Sequence, residues 1–358
     1  TAASPAVAAA PAIPGFDNLT GTIDATDKGG AISLDSQGTL LHLPAWFEKP
    51  EMRFDQLDMR ARWSFEGQDR LRVELDHMDF VQGSLKGSLS GTHLRPLAAA
   101  PGKALGSVDF KGRLDGFELN RIGDYLPLQT PPHLRDWLVG ALEGGTAHDV
   151  ALTLRGELSQ FPFRANNAAE RARGEFRVAG RIADGRLNYS PNLHAPDGVG
   201  PLWPQAERID GSFLFDRARM EIRAQRGATL GVGLANVKAV VADLASPDKM
   251  LEIDGSASGP MQEFLRYVTV SPVAGWIGHF TDDTRATGNA KLGLKLLLPL
   301  AHLPDTKVQG SLQLMNNDFE LFNDMPPVQA AIGKIEFWER GVNLSGIGGS
   351  FVGGPLAL

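Results

Sequence analysis

The sequence predicts a mainly β protein: an elongated, curled antiparallel sheet that forms a groove and is built of repeats, each with a short helical pair. Three observations predict it. From Leu19 onward, short runs alternate apolar and polar residues. Gly, Asp and Asn punctuate those runs. Two stretches of helical period, "YLPLQTPPHLRDWLVGALEGG" from Tyr125 and "YVTVSPVAGWIGHFTDDTRATG" from Tyr267, interrupt the alternation at similar places. A period of two places every second side chain on one face of a strand, whereas a period of 3.6 makes one face of a helix.

Residues 1–15, "TAASPAVAAAPAIPG", are Ala/Pro-rich and read as an extended lead-in. Residues 16–115 follow as a strand-rich segment, in which "RLRVELDHMDF" alternates Leu71, Val73 and Leu75 with Arg70, Arg72 and Glu74. A first repeat with a helical insert runs over 116–258, and a second, truncated one over 259–358. Gly145 and Gly288 are 143 residues apart, and Gly211 and Gly333 are 122 apart, because the first copy carries a longer insertion at 190–205. That insertion contains Pro191, Pro196, Pro201 and Pro204 and suits a surface loop or a partner contact. Asp184-Gly185 and Asn316-Asn317 read as hairpin turns.

In "PHLRDWLVGALEGG", Leu134, Trp137 and Leu138 fall on one helical face, with Pro131-Pro132 as start and Gly144-Gly145 as stop signals. In "SPVAGWIGHFTDD", Val273, Trp276, Ile277 and Phe280 repeat that spacing. Shorter helical candidates, "LNRIGDYL" and "PMQEFLRYV", precede them. Each pair is expected to cap or brace one margin of the groove.

Composition removes several functions. The net charge of -7 and the pI near 5.6 leave no concentrated basic face for nucleic acid. With no cysteine, thiol catalysis, iron–sulfur clusters and Cys-bound zinc are excluded, and an oxidising compartment fits. The eight histidines have no metal-ligand spacing, so no metal or cofactor is expected. "DHMD" at Asp76–Asp79 lies in an alternating run, and "TDDT" at Asp282-Asp283 is the polar end of a helix. Ser90 in "GSLSG" and Ser258 in "GSASG" lack the nucleophile-elbow spacing. "GIGGSFVGG" lacks the lysine of a phosphate-binding loop. Nothing points to a catalytic pair, and the chain is not expected to be an enzyme; a carbohydrate-active β protein is the third and weakest reading.

What the alternating runs supply is one apolar face. Its members are Val150, Leu152, Leu154, Phe176, Val178, Phe213, Phe215, Leu292, Leu294, Leu296, Leu312, Leu314, Ile335 and Phe337. Such a face must be covered by a second layer, by its own curl or by a ligand. Two short helical pairs are little cover for so many strands. A curled sheet leaves an apolar trough suited to acyl chains, which need dryness and dispersion contacts without directed hydrogen bonds.

The run "YLP…HLRDWLVGALEGG…LRGELSQFPF" and the following "GEFRVAGRIADGRLNYSPNLHAPDGVGPLWPQAERIDGSFLFDRARMEI" resemble the central part of the YhdP family of AsmA-like proteins. The likeness is carried by "FPF" (Phe161–Phe163), "DGRLNY" (Asp184–Tyr189), "WP" (Trp203-Pro204) and "RIDGSFLF". It implies a periplasmic β-groove, anchored to the inner membrane by a segment outside this chain. It also implies phospholipid transfer between inner and outer membranes in support of outer-membrane lipid homeostasis, with outer-membrane or envelope proteins at the far end. No catalytic residues come with it. The chain starts at Thr1 without a signal peptide and stops at "GGPLAL" while still strand-like, which reads as an excerpt. The competing expectation is a structural or assembly scaffold of the envelope with a closed β core.

Overall fold

The computed structural model describes residues 13–67, 69–97, 105–165, 167–195, 198 and 200–358. Most of the Ala/Pro-rich lead-in, and Pro196 of the 190–205 insertion, lie outside the described residues. The described residues form one sheet of 20 strands. In chain order these are β1 Gly15–Asp17, β2 Gly21–Thr26, β3 Gly29–His42, β4 Glu51–Glu66, β5 Arg70–Gln82, β6 Leu85–Pro96 and β7 Ser107–Asp115. Next come β8 Phe117–Glu118, β9 Leu142–Glu157, β10 Gly174–Leu187, β11 Ala206–Asp216, β12 Arg219–Thr229, β13 Val232–Val241 and β14 Met250–Pro260. The last are β15 Arg285–Ala286, β16 Asn289–Pro299, β17 Lys307–Glu320, β18 Val328–Trp338, β19 Gly341–Phe351 and β20 Gly354–Ala357.

The long strands form a meander from β3 to β20, each antiparallel to the next, with short β8 and β15 laid beside β9 and β17. The sheet curls without closing: the outer side of β3 meets β1 and β2, and β20 pairs with β19. Among the described residues there are four α-helices: α1 Pro132–Ala141, α2 Ala168–Arg173, α3 Met261–Thr269 and α4 Val273–Trp276. The candidate "LNRIGDYL" is a 3-10 turn, Leu119–Tyr125. Helix α4 stops at Trp276, and His279, with φ 60°, already lies in the following turns, so the helix expected through Phe280 is cut short. Helix α2 was not expected, although Asn167 accepts from the Glu170 N–H at 2.9 Å, which is an N-cap signature readable from sequence.

Neither expected hairpin turn is a turn. β10 runs through Asp184-Gly185 and β17 through Asn316-Asn317 as β-bulges, with Asp184 and Asn316 at φ 50° and 62°. Asp and Asn tolerate left-handed backbone, so a bulge and a turn have the same local sequence; tertiary pairing decides between them. Acidic side chains on neighbouring strands hold several bulges. Asp115 accepts from the Asp149 N–H at 3.0 Å, Asp210 from Asp184 at 3.0 Å and Asp318 from Ala330 at 2.8 Å. In each case the donor residue has positive φ.

Strand lengths and backbone angles recur at a fixed offset. β11 and β18, and likewise β12 and β19, have 11 residues each and begin 122 positions apart. Arg208 and Ala330 share φ 53°, and Leu230 and Val352, also 122 apart, have φ 44° and 50°.

Candidate functional site: one apolar face of the sheet

The pairing register places all fourteen apolar residues singled out above on the same face. One lateral row runs Leu34, Met59, Met78, Leu89, Gly112, Leu152, Val178, Phe215, Met220, Val241, Leu251, Leu298, each directly opposite the next. It crosses twelve strands, about 50 Å at the usual interstrand spacing, without a polar side chain. A second row runs Phe213, Ile222, Ala239, Ile253, Leu296, Val308. A third runs Leu234, Ala257, Leu292, Leu312, Ile335, Leu344. The other face carries rows such as Arg181, Ser212, Arg223, Lys238, Asp254, Lys295.

That second face is stitched by ion pairs: Arg62 with Glu74 and Asp76 at 3.0 Å, Arg219 with Glu221 at 2.8 Å and Lys295 with Asp254 at 3.5 Å. The basic partners, and Asp254, are well exposed, so solvent screens these pairs and each contributes on the order of 1 kcal/mol or less. Asp76 and His77 of the "DHMD" run belong here, His77 lying 3.1 Å from Asp58. Arginine neighbours hold Glu66 and Glu221 below the usual carboxylate range, in each case chiefly through a hydrogen bond.

The apolar face is sheltered although, over most of its length, no second layer covers it. Leu57 is 2% exposed and Val241 1%. Leu19, from the segment between β1 and β2, packs against the cluster that holds Leu57, and the curl of the sheet lets neighbouring rows shield one another elsewhere. Toward the two edges the shelter fails: Ile23 of β2 is 69% exposed and Val342 of β19 62%.

Two regions of the face are covered. Beside Gly156 and Gly174, Phe163 is 4% exposed and lies against both glycines, and Phe161 packs edge-on against Phe176 at 5.0 Å, so Phe176 is covered by the segment that follows β9. The other region lies under α3. On α3, Met261 and Leu265 pack with Ala290, Leu314, Ala331 and Ile347, and Leu312 and Ile335 pack against that cluster. Leu314 is therefore core beneath a helix, and Leu312 and Ile335 border it. The apolar stripe of α3 follows its spacing, Met261, Phe264 and Leu265 at i, i+3 and i+4.

Both helical inserts leave the sheet at one margin, the side where His42, Gln82, Leu187 and Pro260 end their strands. The 3-10 turn reaches back to the apolar face through the Tyr125 hydroxyl, 3.3 Å from Gln82 Oε1. From there a strap follows the margin. The 43–50 loop joins the first insert through Lys49–Asp124 at 2.8 Å and Arg135–Glu48 at 3.3 Å. Trp137 Nε1 donates to the Tyr189 carbonyl at 3.3 Å. Trp203 then meets Trp276 of α4, the ring centroids 5.6 Å apart and the planes tilted by 59°. The 190–205 insertion thus bridges the two helical inserts, a role its sequence did not reveal.

The six residues expected to brace the groove are less enclosed than a core helix face. Leu134, Trp137 and Ile277 are exposed, Phe280 is 58% exposed and Trp276 70%; Leu138 is partly buried. Trp137 donates to Tyr189, Trp276 meets Trp203, and Phe280 meets Phe322 edge-on at 5.9 Å.

Among the described residues, no group of His, Cys, Asp or Glu side chains could hold a metal ion, and no helix is long and apolar enough to cross a membrane.

The family model for the YhdP protein matches residues 5–358. The Escherichia coli (strain K12) protein named intermembrane phospholipid transporter YhdP is 24% identical over 224 residues, which is 62% of this chain and 16% of that protein's length. No solved structure matches the chain.

Proposed function

The chain belongs to the YhdP protein family, and on that premise we propose that it carries phospholipid in transit between membranes. The acyl tails lie on the apolar face and the head groups stay in water at its margins. The observation that supports this reading best is the unbroken apolar row of twelve strands, from Leu34 to Leu298, on an open, curled sheet. Acyl chains need a continuous dry surface and no directed hydrogen bonds, which such rows provide. The name of the E. coli relative, an intermembrane phospholipid transporter, points the same way.

In this reading the chain works in the periplasm, between inner and outer membranes, and is tethered to the inner membrane by a part of the protein outside these residues. It hands lipid on toward the outer membrane or envelope proteins and thereby supports outer-membrane lipid homeostasis. It does no covalent chemistry, so no catalytic residue is assigned. The segments at 116–258 and 259–358 are two copies of one carrier unit, each with its helical pair on the shared margin, and 16–115 is a further stretch of the same trough.

A closed-core scaffold is the second reading, and the seat of α3 on Leu312, Leu314 and Ile335 is what favours it. Mass spectrometry of lipids extracted from the chain after purification from a bacterial periplasm separates the two. The carrier reading expects phospholipid well above a closed-core β protein of similar size, lost in the folded Phe213→Asp/Leu294→Asp variant. No enrichment over that control supports the scaffold.

A further inference from the structure

We infer that Gly87, Gly180 and Gly310 set the cross-section of the trough, each by letting the phenylalanine directly opposite lie down across it. The inference rests on the lipid-carrier reading and names residues that determine what the groove admits. In register, Gly87 faces Phe80, Gly180 faces Phe213 and Gly310 faces Phe337, all on the apolar face. These pairs sit on β5/β6, β10/β11 and β17/β18, spread along the sheet.

Glycine in a strand interior is unfavourable and needs a reason. Here the backbone does not supply it, because none of the three has positive φ. The opposing ring does. A Cβ on Gly180 would stand 2.8 Å from Phe213 Cζ and 3.0 Å from Val150 Cγ2. Cβ atoms on Gly87 and Gly310 would overlap the rings of Phe80 and Phe337 outright. Each ring therefore occupies the space of the missing side chain. The pair presents a low apolar plate to the trough in place of two upright side chains. Val150, Leu152, Leu292 and Leu294 line the face beside these plates.

Filling a glycine lifts its ring into the trough, because a close-packed surface has nowhere else to put it. The occupant argued for is an acyl chain, whose methylenes need room above the floor and contact no polar group there.

The test counts phospholipids per protein by mass spectrometry for the whole chain purified from a bacterial periplasm, with folding followed by circular dichroism. The parent, Gly180→Val, Gly310→Val and the compensated pair Gly180→Val/Phe213→Ala are compared. The expected result is a roughly twofold or greater fall in lipid for each single variant, with recovery in the compensated pair. If Gly180→Val does not fold, Gly180→Ala and the compensated pair supply the comparison. Unchanged lipid in a folded single variant, beside a loaded parent, overturns the inference and leaves the carrier reading intact. A parent without phospholipid above a closed-core control overturns that reading, and the inference with it.

Discussion

Tyr189 and Tyr267, 78 residues apart in sequence, bring their hydroxyl oxygens to 3.0 Å. The Tyr189 hydroxyl also donates to the Pro204 carbonyl, so Tyr267 is the donor between the two rings. This one contact joins the 190–205 insertion to α3, and α3 is the helix seated on the apolar face. Loosening it is predicted to loosen both segments together. Tyr267→Phe removes one hydrogen bond, about 1 kcal/mol or less. Amide exchange in 188–205 and 261–276 should speed up in step; faster exchange in only one of them would show that the strap is not a unit.

Burial pushes the hydroxyls of both tyrosines up from their ordinary value of 10. The unfolded chain then loses these protons at lower pH than the folded one does. The tyrosine contribution to stability is therefore complete below pH 10 and declines as pH rises further. The alkaline fall in thermal midpoint should be shallower in Tyr189→Phe than in the parent. Parallel curves would contradict the assignment.

The acid side has a different origin. Hydrogen bonds from the backbone N–H of Asp149 and of Asp184 hold Asp115 and Asp210 below the ordinary carboxylate value of 3.8. Arg226 adds to the effect on Asp210 and His148 to that on Asp115. A depressed folded-state pKa contributes stability that is present above 3.8 and lost as pH falls through the lower value. Asp210→Asn should flatten the acid limb of the pH–stability curve, and an unchanged limb would refute that origin.

Facing can be tested within one strand. Leu57, 2% exposed, packs with Phe54 and Phe80 on the apolar side, and Asp58 points the other way. Leu57→Ala should cost about 2–4 kcal/mol in chemical denaturation, and Asp58→Ala within about 0.5 kcal/mol. Similar costs at both positions would mean that the two faces are not distinct.

Much of this was legible in the sequence because β alternation is local. Val150, Leu152 and Leu154 announce their shared face by spacing alone, and so do Leu292, Leu294 and Leu296. The helical inserts were legible from Trp137 and Trp276 for the same reason. Long-range pairing was not. Asn317 reads as half of a turn, yet it is fully buried in a bulge, donating to the Thr287 and Asn289 carbonyls at 2.8 and 3.1 Å. Leu314 reads like Leu294, and only α3, folded back from 261, makes it core. The strap was invisible because Trp203 meets Trp276 across 73 residues of chain.

The most direct test of the central claim uses a genetically encoded photo-crosslinker in cells at Phe213 and at Leu214. The two are neighbours and both apolar, but they lie on opposite faces of β11, paired with Ile222 and Glu221 respectively. A lipid-carrying apolar face predicts phospholipid adducts, read by mass spectrometry, at position 213 and none above background at 214. Equal labelling at the two positions, or labelling at 214 alone, would contradict it.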